Sequence, residues 1–518
     1  MDIGTLSLIL LVGMVVLLVI GMPLAFASGV LAAAVLVMKF GPDLLFGNFG
    51  MGPMSILGQR IYGILTDYVM ISVPLFIFMA NLLEKSGIAS EMYNSLQVWL
   101  NRTRGGIAVV TSVMAVVMAA MSGIVGGEVV LLGLIALPQM LRLGYDRNLA
   151  IGTICASGSL GTMIPPSIVL IMYGLVTETS IKALFTASFL PGFMLAMFYI
   201  CYILVRTRLD PSLAPLPEPD PSEPSRNEKR GLFGIFVALL VAAFAGLWAL
   251  NGLVGLAQGG AGFPLVALLV AVAAGVVLVL GRSRIGTAWA MGRGLVAPLI
   301  VIGVVLGSIY GGITGITEAA GMGTVAVLVL TAMRHELTPS LVWDSLTRTL
   351  MSTGTILWVT IGATALAGAY TIAGGPTYIA GAITGAELPT MAVILVMMVI
   401  FLFLGAFMDW IGIVLLVMPV FLPIVRALPV EELGFIGALD PSHVAVWFGV
   451  VFCMNMQVSF LSPPFGPAAF YLKSVAPPHI QLTDIFKGFL PFIGIQLVAL
   501  SVLLIWPPIV EILLEWGK

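Results

Sequence analysis

Apolar runs of about twenty residues, the length a helix needs to cross a bilayer, recur along almost the whole of this chain. No other feature restricts its fold so severely. Inside hydrocarbon each backbone N–H and C=O must find its partner within the protein. Only 9% of the 518 residues are charged and 60% are hydrophobic, against about 25% charged in a soluble domain. The chain reads as an all-α polytopic membrane protein whose first partner is the lipid bilayer. The net charge of −2 gives no reason to expect nucleic acid. The N-terminus lacks a basic region and runs into a second apolar stretch, so it reads as an uncleaved first span.

Most runs have the length of one helix. Two, 106–140 and 390–425, are long enough for two helices, and small or polar residues interrupt each. The first breaks at Met121–Glu128 (MSGIVGGE) and the second at Gly405–Gly412 (GAFMDWIG). Arg102 and Arg104 precede the first, and Arg142 and Arg147 follow it. Basic residues mark the cytoplasmic side, so both ends of this segment lie inside and it reads as a re-entrant hairpin. Glu387 precedes the second, and Arg426, Glu431, Glu432 and Asp440 follow it, which places its ends outside. Threaded this way, only Lys39, Arg60, Lys182, Arg426 and Lys518 of the 22 Lys and Arg fall outside.

The two halves share their punctuation. Glu128 stands ten residues before Pro138, and Asp409 ten before Pro419. Cys155 stands ten before the Pro165–Pro166 pair, and Cys453 ten before Pro463–Pro464. Phe185–Gly192 (FTASFLPG) returns as Phe486–Phe492 (FKGFLPF). The chain therefore divides into a first repeat (1–205), a Pro-rich cytoplasmic linker (206–231) expected to be extended or disordered, an inserted helical hairpin (232–290) with an uncharged outer turn at Asn251–Gly262, and a second repeat (291–518). The first repeat holds hairpin 106–140 and a broken helix at 148–178. The second holds hairpin 390–425 and a broken helix at 442–475. Oppositely oriented repeats with paired broken helices point to a secondary transporter whose site lies at the repeat interface.

Breaking a helix frees about four N–H and four C=O groups at each new end. In lipid such backbone persists only beside protein or a polar cavity. Freed carbonyls and hydroxyls suit a hard cation, and a half-helix N-terminus suits an anion. One cation site is expected from Ser122, Gly123, Ser157, Gly158, Ser159, Gly161 and Thr162. A second is expected from Gly405, Asp409, Ser459, Ser462 and Gly466. Proline has no N–H to strand and suits a restarting helix, as at Pro165, Pro166, Pro463 and Pro464. Ionisable groups in spans are functional candidates. Glu128 and Asp409 hold matching hairpin positions, as organisers of the tips or as helix caps, and Glu318 begins a helix after GITGIT.

Several stretches together resemble the large membrane subunit of the tripartite ATP-independent periplasmic (TRAP) transporters, a DctM-like permease. They are SGIVGGE, GYDRNLAIGTICASGSLGTMIPPSI, GGITGITEAAG, GAFMDWIGIVLLVMPVFLPI and SPPFGPAAF. The resemblance implies sodium-driven import of small organic acids, usually carboxylates, by an elevator motion in a bacterial inner membrane. It implies a periplasmic solute-binding protein that delivers cargo, and a small membrane subunit supplied as a separate chain. Sodium would be the coupling ion, with no other cofactor. Ile124 stands where the family has a serine, which removes one hydroxyl from the first hairpin.

Moving one charge across 100 mV is worth roughly 2.3 kcal/mol. A dianion entering a negative cell is thus opposed by about 4.6 kcal/mol, which two sodium ions cancel. A sodium–carboxylate symporter that needs no binding protein is the alternative. An enzyme is not expected, because the loops lack acidic or His clusters for surface chemistry. Cys155, Cys201 and Cys453 read as small buried residues, and His335, His443 and His479 fall in loops, so no transition-metal site is expected. Ser90–Gly106 and His335–Leu350 read as amphipathic helices along the cytoplasmic face.

Overall fold

A computed structural model describes residues 2–41, 52–101, 103–123, 125–216, 224–256, 282–385, 388–406, 408–464 and 466–516. No strand occurs among them. Eight of the described helical segments are long and apolar enough to cross a membrane.

The chain opens with α1 (Ile3–Val19), α2 (Leu24–Phe40) and α3 (Pro53–Leu65). Next come α4 (Ser72–Lys85) and α5 (Ile88–Leu100). The hairpin α6 (Gly106–Ser122) and α7 (Val125–Arg142) follows. Then α8 (Arg147–Gly158) and α9 (Ile168–Thr177) lead into α10 (Ile181–Leu209). The central part holds α11 (Arg226–Leu256), α12 (Arg282–Gly292), α13 (Val296–Tyr310) and α14 (Ile316–Met333). It ends with α15 (Pro339–Ile372) and α16 (Gly375–Gly385). A second hairpin, α17 (Thr390–Gly405) and α18 (Trp410–Ala427), precedes α19 (Val444–Leu461). The chain closes with α20 (Pro467–Lys473), α21 (Leu482–Ile505) and α22 (Ile512–Trp516).

Side-chain caps set many of the starts. Asp146 accepts from the Leu149 N–H at 2.9 Å, and Thr338 from the Leu341 N–H at 3.2 Å. Gln481 and Asp484 form a reciprocal capping box on α21. Each satisfies an orphan N–H of the first turn.

At the centre stands α19, all 18 of whose residues are buried. A helix that is apolar all round has to be enclosed. Here α9, α10, α17, α18 and α21 pack around it. At one side α1, α2, α3 and α15 share a separate apolar cluster through Leu6, Leu31, Val35, Leu57 and Leu366. Small residues let these helices approach: a methyl group on Gly362 of α15 would lie 2.2 Å from the Ala25 carbonyl oxygen of α2.

The ion pairs divide into two groups. Lys85–Asp344 (2.9 Å) and Glu84–Arg348 (3.4 Å) tie α4 to α15, and Arg334–Glu91 (2.7 Å) ties the end of α14 to α5. Arg147–Asp484 (3.7 Å) joins α8 to α21, and His443–Glu511 (2.9 Å) joins the start of α19 to the C-terminal turn. Among the described residues no ion pair links the first group to the second.

Four expectations change. His335–Leu350 is not a separate surface helix, because Pro339–Ile372 is continuous. Nothing interrupts it after Pro339 at its first position, and Ser345, Thr349, Thr355 and Thr360 each bond back to the carbonyl four residues earlier. At 1.5 Å per residue its 34 residues reach about 51 Å, well beyond the hydrocarbon core of about 30 Å.

The linker expected to be extended over 206–231 is folded at both ends. α10 runs to Leu209, and α11 starts at Arg226. Between them Asp210 caps a short turn, and the Leu213 carbonyl accepts the Asp146 N–H at 2.8 Å. Residues 217–223 lie outside the described residues.

Of the inserted hairpin, α11 continues through Leu256, into the expected outer turn at Asn251–Gly262, and residues 257–281 lie outside the described residues. α11 packs within the chain: Trp99 of α5 meets Phe233 edge-on with ring centres 5.3 Å apart, and Lys229 donates to Asn101 at 2.7 Å. Finally, Cys201 is exposed rather than buried, because it lies on the outward face of α10. Helices α3 and α16 have no counterpart in the sequence reading.

Gly362→Ala should lower the thermal midpoint of the detergent-solubilised protein, reflecting overpacking of about 1–3 kcal/mol. Gly354→Ala, where nothing lies within 4 Å, should leave it unchanged or raise it. Equal midpoints for the two variants would contradict the close α2–α15 approach.

Candidate functional site

The stretch between α8 and α9 is where regular helix fails. Ser159–Thr162 tightens into a 3-10 turn, Met163–Pro166 is non-helical, and Ser167 caps α9. The second interruption spans Ser462–Gly466, between α19 and α20, with Phe465 outside the described residues. Both Pro165–Pro166 and Pro463–Pro464 are cis.

Side chains take up the freed backbone. Ser159 donates to the Ala156 carbonyl at 2.8 Å, Thr162 to the Ser159 carbonyl at 3.1 Å, and Ser167 to the Thr162 carbonyl at 2.6 Å. Gln457 of α19 reaches across from a helix far along the chain. Its amide nitrogen donates to the Ser159 carbonyl at 2.8 Å and to the Thr162 hydroxyl at 2.6 Å, and its oxygen lies 2.5 Å from the Ser159 hydroxyl, whose one hydrogen is shared between this oxygen and the Ala156 carbonyl. Residues 159 and 457 are 298 apart, which is also the separation of Cys155 from Cys453. Two positions that share this 298-residue offset therefore touch each other.

The hairpin tips close on the interruptions. Gly123, at φ +61°, turns the chain between α6 and α7, and a methyl group there would lie 2.3 Å from the Pro166 carbonyl oxygen. Only glycine meets both demands. Ser122 donates to the buried carboxylate of Glu128. That carboxylate lies over Gly161, whose added Cβ would be 3.3 Å from both oxygens. In the second hairpin Gly405 abuts Ser459, with 2.3 Å between an added Cβ and the hydroxyl oxygen.

The structure thus brings Ser122, Gly123, Gly161 and Glu128 together. Ser157 faces Ser112 of α6, oxygen to oxygen at 2.9 Å. Thr162 joins the second set: with Gly405, Asp409 and Ser459 it lines a cavity of about 20 Å³. Ser462 bonds locally to the Val458 carbonyl at 2.8 Å, and Gly466 donates to the Ser462 carbonyl; neither lines that cavity. Ile124 lies outside the described residues.

The two hairpin acids do not occupy matching places. Asp409 is exposed at the N-cap of α18, whereas Glu128 sits inside the first turn of α7, 3% exposed. α7 begins before its acid and α18 after, so an equal count to the proline puts them one turn apart. Glu318 is exposed in the first turn of α14 and accepts from the Tyr68 hydroxyl at 2.9 Å.

A larger cleft of about 440 Å³ opens between α4 and α15 on one wall and the first hairpin on the other. Asn81, Glu84, Arg348 and Ser352 line one side, and Ser122, Glu128 and Tyr471 the other.

The sequence profile described as "Tripartite ATP-independent periplasmic transporter, DctM component" matches residues 11–509. The chain belongs to this family. It is 25% identical over 491 residues to the C4-dicarboxylate TRAP transporter large permease protein DctM of Pseudomonas aeruginosa, covering 94% of this chain and 93% of that one. It is 27% identical over 505 residues to the ectoine/5-hydroxyectoine large permease protein UehC of Ruegeria pomeroyi, covering 97% of each. It is 22% identical over 502 residues to the sialic acid large permease protein SiaM of Vibrio cholerae, covering 96% of each. In fold it resembles the YdaH transporter of Alcanivorax borkumensis, with a TM-score of 0.51 at 16% identity, covering 98% of this chain and 99% of that one. The protein is thus a polytopic TRAP large permease subunit, and its relatives are transporter subunits rather than enzymes.

Sequence reasoning missed Gln457 and Asn455 of the permease. The signal was present: the 298-residue offset maps Ser157 to Asn455 and Ser159 to Gln457. Gln457→Leu would remove one of the two side-chain donors to the Ser159 carbonyl together with the bonds to the Ser159 and Thr162 hydroxyls, and each lost hydrogen bond costs about 0.5–1.5 kcal/mol. Asn455 makes a single backbone bond, from its amide to the Met398 carbonyl at 3.1 Å. Gln457→Leu should therefore lower the thermal midpoint more than Asn455→Leu; the reverse order would contradict the cross-repeat bridge.

Proposed function

We propose that this permease imports small organic acids with sodium ions, delivered by a periplasmic solute-binding protein and assisted by a separate small membrane subunit, in a bacterial inner membrane. Its C4-dicarboxylate, ectoine and sialic acid relatives bear on the cargo class. The observation that carries the reading is the meeting of two interrupted helices, one from each repeat, through Ser159 and Gln457. Each brings unwound backbone and hydroxyls to one buried place.

The oxygen chemistry fits a hard cation. A hydroxyl that donates its hydrogen keeps lone pairs, so Ser157, Ser159 and Thr162 retain coordinating capacity while bonded as seen. Ser122, Gly123, Gly158 and Gly161 complete the surroundings of the first site. The cavity among Thr162, Gly405, Asp409 and Ser459 is the centre of the second. It is of the size that holds one water, and Thr162, Asp409 and Ser459 bring oxygen atoms to it. Ser462 and Gly466 shape the helix end behind it.

The two groups of ion pairs support an elevator. The hairpins and interrupted helices form one block, which slides past a frame built on α4, α5, α14 and α15. A boundary without ion pairs among the described residues has none to break as it moves. The re-entrant character of the hairpins, the division into inverted repeats and the linker belong to this same reading.

In liposomes containing the permease, its small subunit and the loaded binding protein, uptake should need an inward sodium gradient. Uptake at full rate without sodium would overturn the coupling. Ser157→Ala, Ser159→Ala and Ser462→Ala should each raise the half-saturating sodium concentration several-fold; an unchanged sodium response in all three would remove these sites. Charge-flux measurements should give at least two sodium ions per cargo molecule, and fewer would contradict two repeat-related sites.

A further inference from the structure

The cleft between α4, α15 and the first hairpin joins opposite chemistries. Arg348 is the only cationic residue among those that line it, and Glu128 lies on the facing wall. The pairing of Arg348 is loose: one nitrogen lies 3.4 Å from Glu84, and its side chain keeps 55% of its surface exposed. A guanidinium has five N–H donors arranged to grip a carboxylate bidentately. Nor is this pair required to hold α4 to α15. Lys85–Asp344 at 2.9 Å and Asn81–Thr349 at 3.1 Å already do so.

Glu128 is the reverse case. It is 3% exposed, and one carboxylate oxygen accepts from Ser122. The other oxygen has no hydrogen-bond partner. A buried acceptor without a donor is an expensive arrangement, and it is most simply completed by a donor that arrives with a ligand. A second carboxylate placed there would bring further acceptor oxygens to a place that lacks a donor, which disfavours binding.

We infer that the cleft takes a cargo with a carboxylate at one end and a cationic or hydroxyl donor at the other, in preference to a dicarboxylate. Arg348 pairs with the carboxylate, displacing Glu84, and Glu128 accepts from the donor. This rests on the transport reading above and names its substrate class.

A matched four-carbon series tests it: succinate, 4-aminobutyrate, 4-hydroxybutyrate and butyrate. Each is added at saturating sodium to the detergent-solubilised complex of the permease with its small subunit. Half-saturating concentrations are read from thermal protection. 4-Aminobutyrate and 4-hydroxybutyrate should protect at concentrations about tenfold lower than succinate, as one charge-assisted hydrogen bond allows. Glu128→Gln should erase that preference, Arg348→Gln should abolish protection by all four, and Arg348→Lys should restore part of it.

Succinate protecting the wild-type complex as well as 4-aminobutyrate does would overturn the inference. So would a Glu128→Gln variant that changes the sodium requirement but not the cargo order, since the acid would then serve the ion. No protection by any of the four would remove cargo from this cleft. Sodium-driven uptake of the delivered cargo in liposomes would still stand in that case, so the two readings fail separately.

Discussion

Every peptide group placed within hydrocarbon must be paired by the protein itself, and the structure is organised around the two places where regular helix does not do this. Between α8 and α9 the unpaired carbonyls are met by Ser159, Thr162, Ser167 and Gln457. The first three are local. The fourth comes from α19, far along the chain, and through it the interruption becomes a joint between distant helices. The burial of α19 on all sides follows from this role, because a helix that supplies polar groups to the centre must lie there. The glycines at 123 and 405 follow too, since they let one hairpin tip reach Pro166 in the first interruption and the other reach Ser459 in the last turn of α19.

The chemistry divides along the same line. The block around the interruptions is rich in oxygen and, apart from Glu128 and Asp409, poor in charge. The surrounding frame carries a tight cluster of ion pairs on α4, α5, α14 and α15. Exposed ion pairs contribute little to stability individually. Their value here is geometric: they fix α15 against α4, and so fix one wall of the 440 Å³ cleft.

Much of this was legible in the sequence because membrane spans leave long, simple signals. The apolar runs located the helices, and paired prolines located both interruptions. Small residues located the hairpin turns. Local rules failed where the deciding contact was distant or where two signals competed. Gln457 and Asn455 lie inside an apolar helix and carry no mark of their own. Only the repeat register singles them out. The continuity of α15 was hidden because its first half has the composition of a surface helix and its second half that of a span. The linker's proline content suggested an extended chain, yet Leu213 docks against the start of α8. Counting back to a proline paired Glu128 with Asp409, but the two helices start at different distances from that proline. Their burial therefore differs.

The Gln457–Ser159 joint also bears on how such a chain is made. Synthesis runs from the N-terminus, so the first interruption is inserted 298 residues before the amide that completes it. Until then Thr162 is the one side-chain donor to the Ser159 carbonyl, and the Thr162 hydroxyl lacks the amide that bonds it in the finished chain. The N-terminal half is consequently no autonomous unit, and a gene split in the central insertion would yield function only when both fragments are produced together.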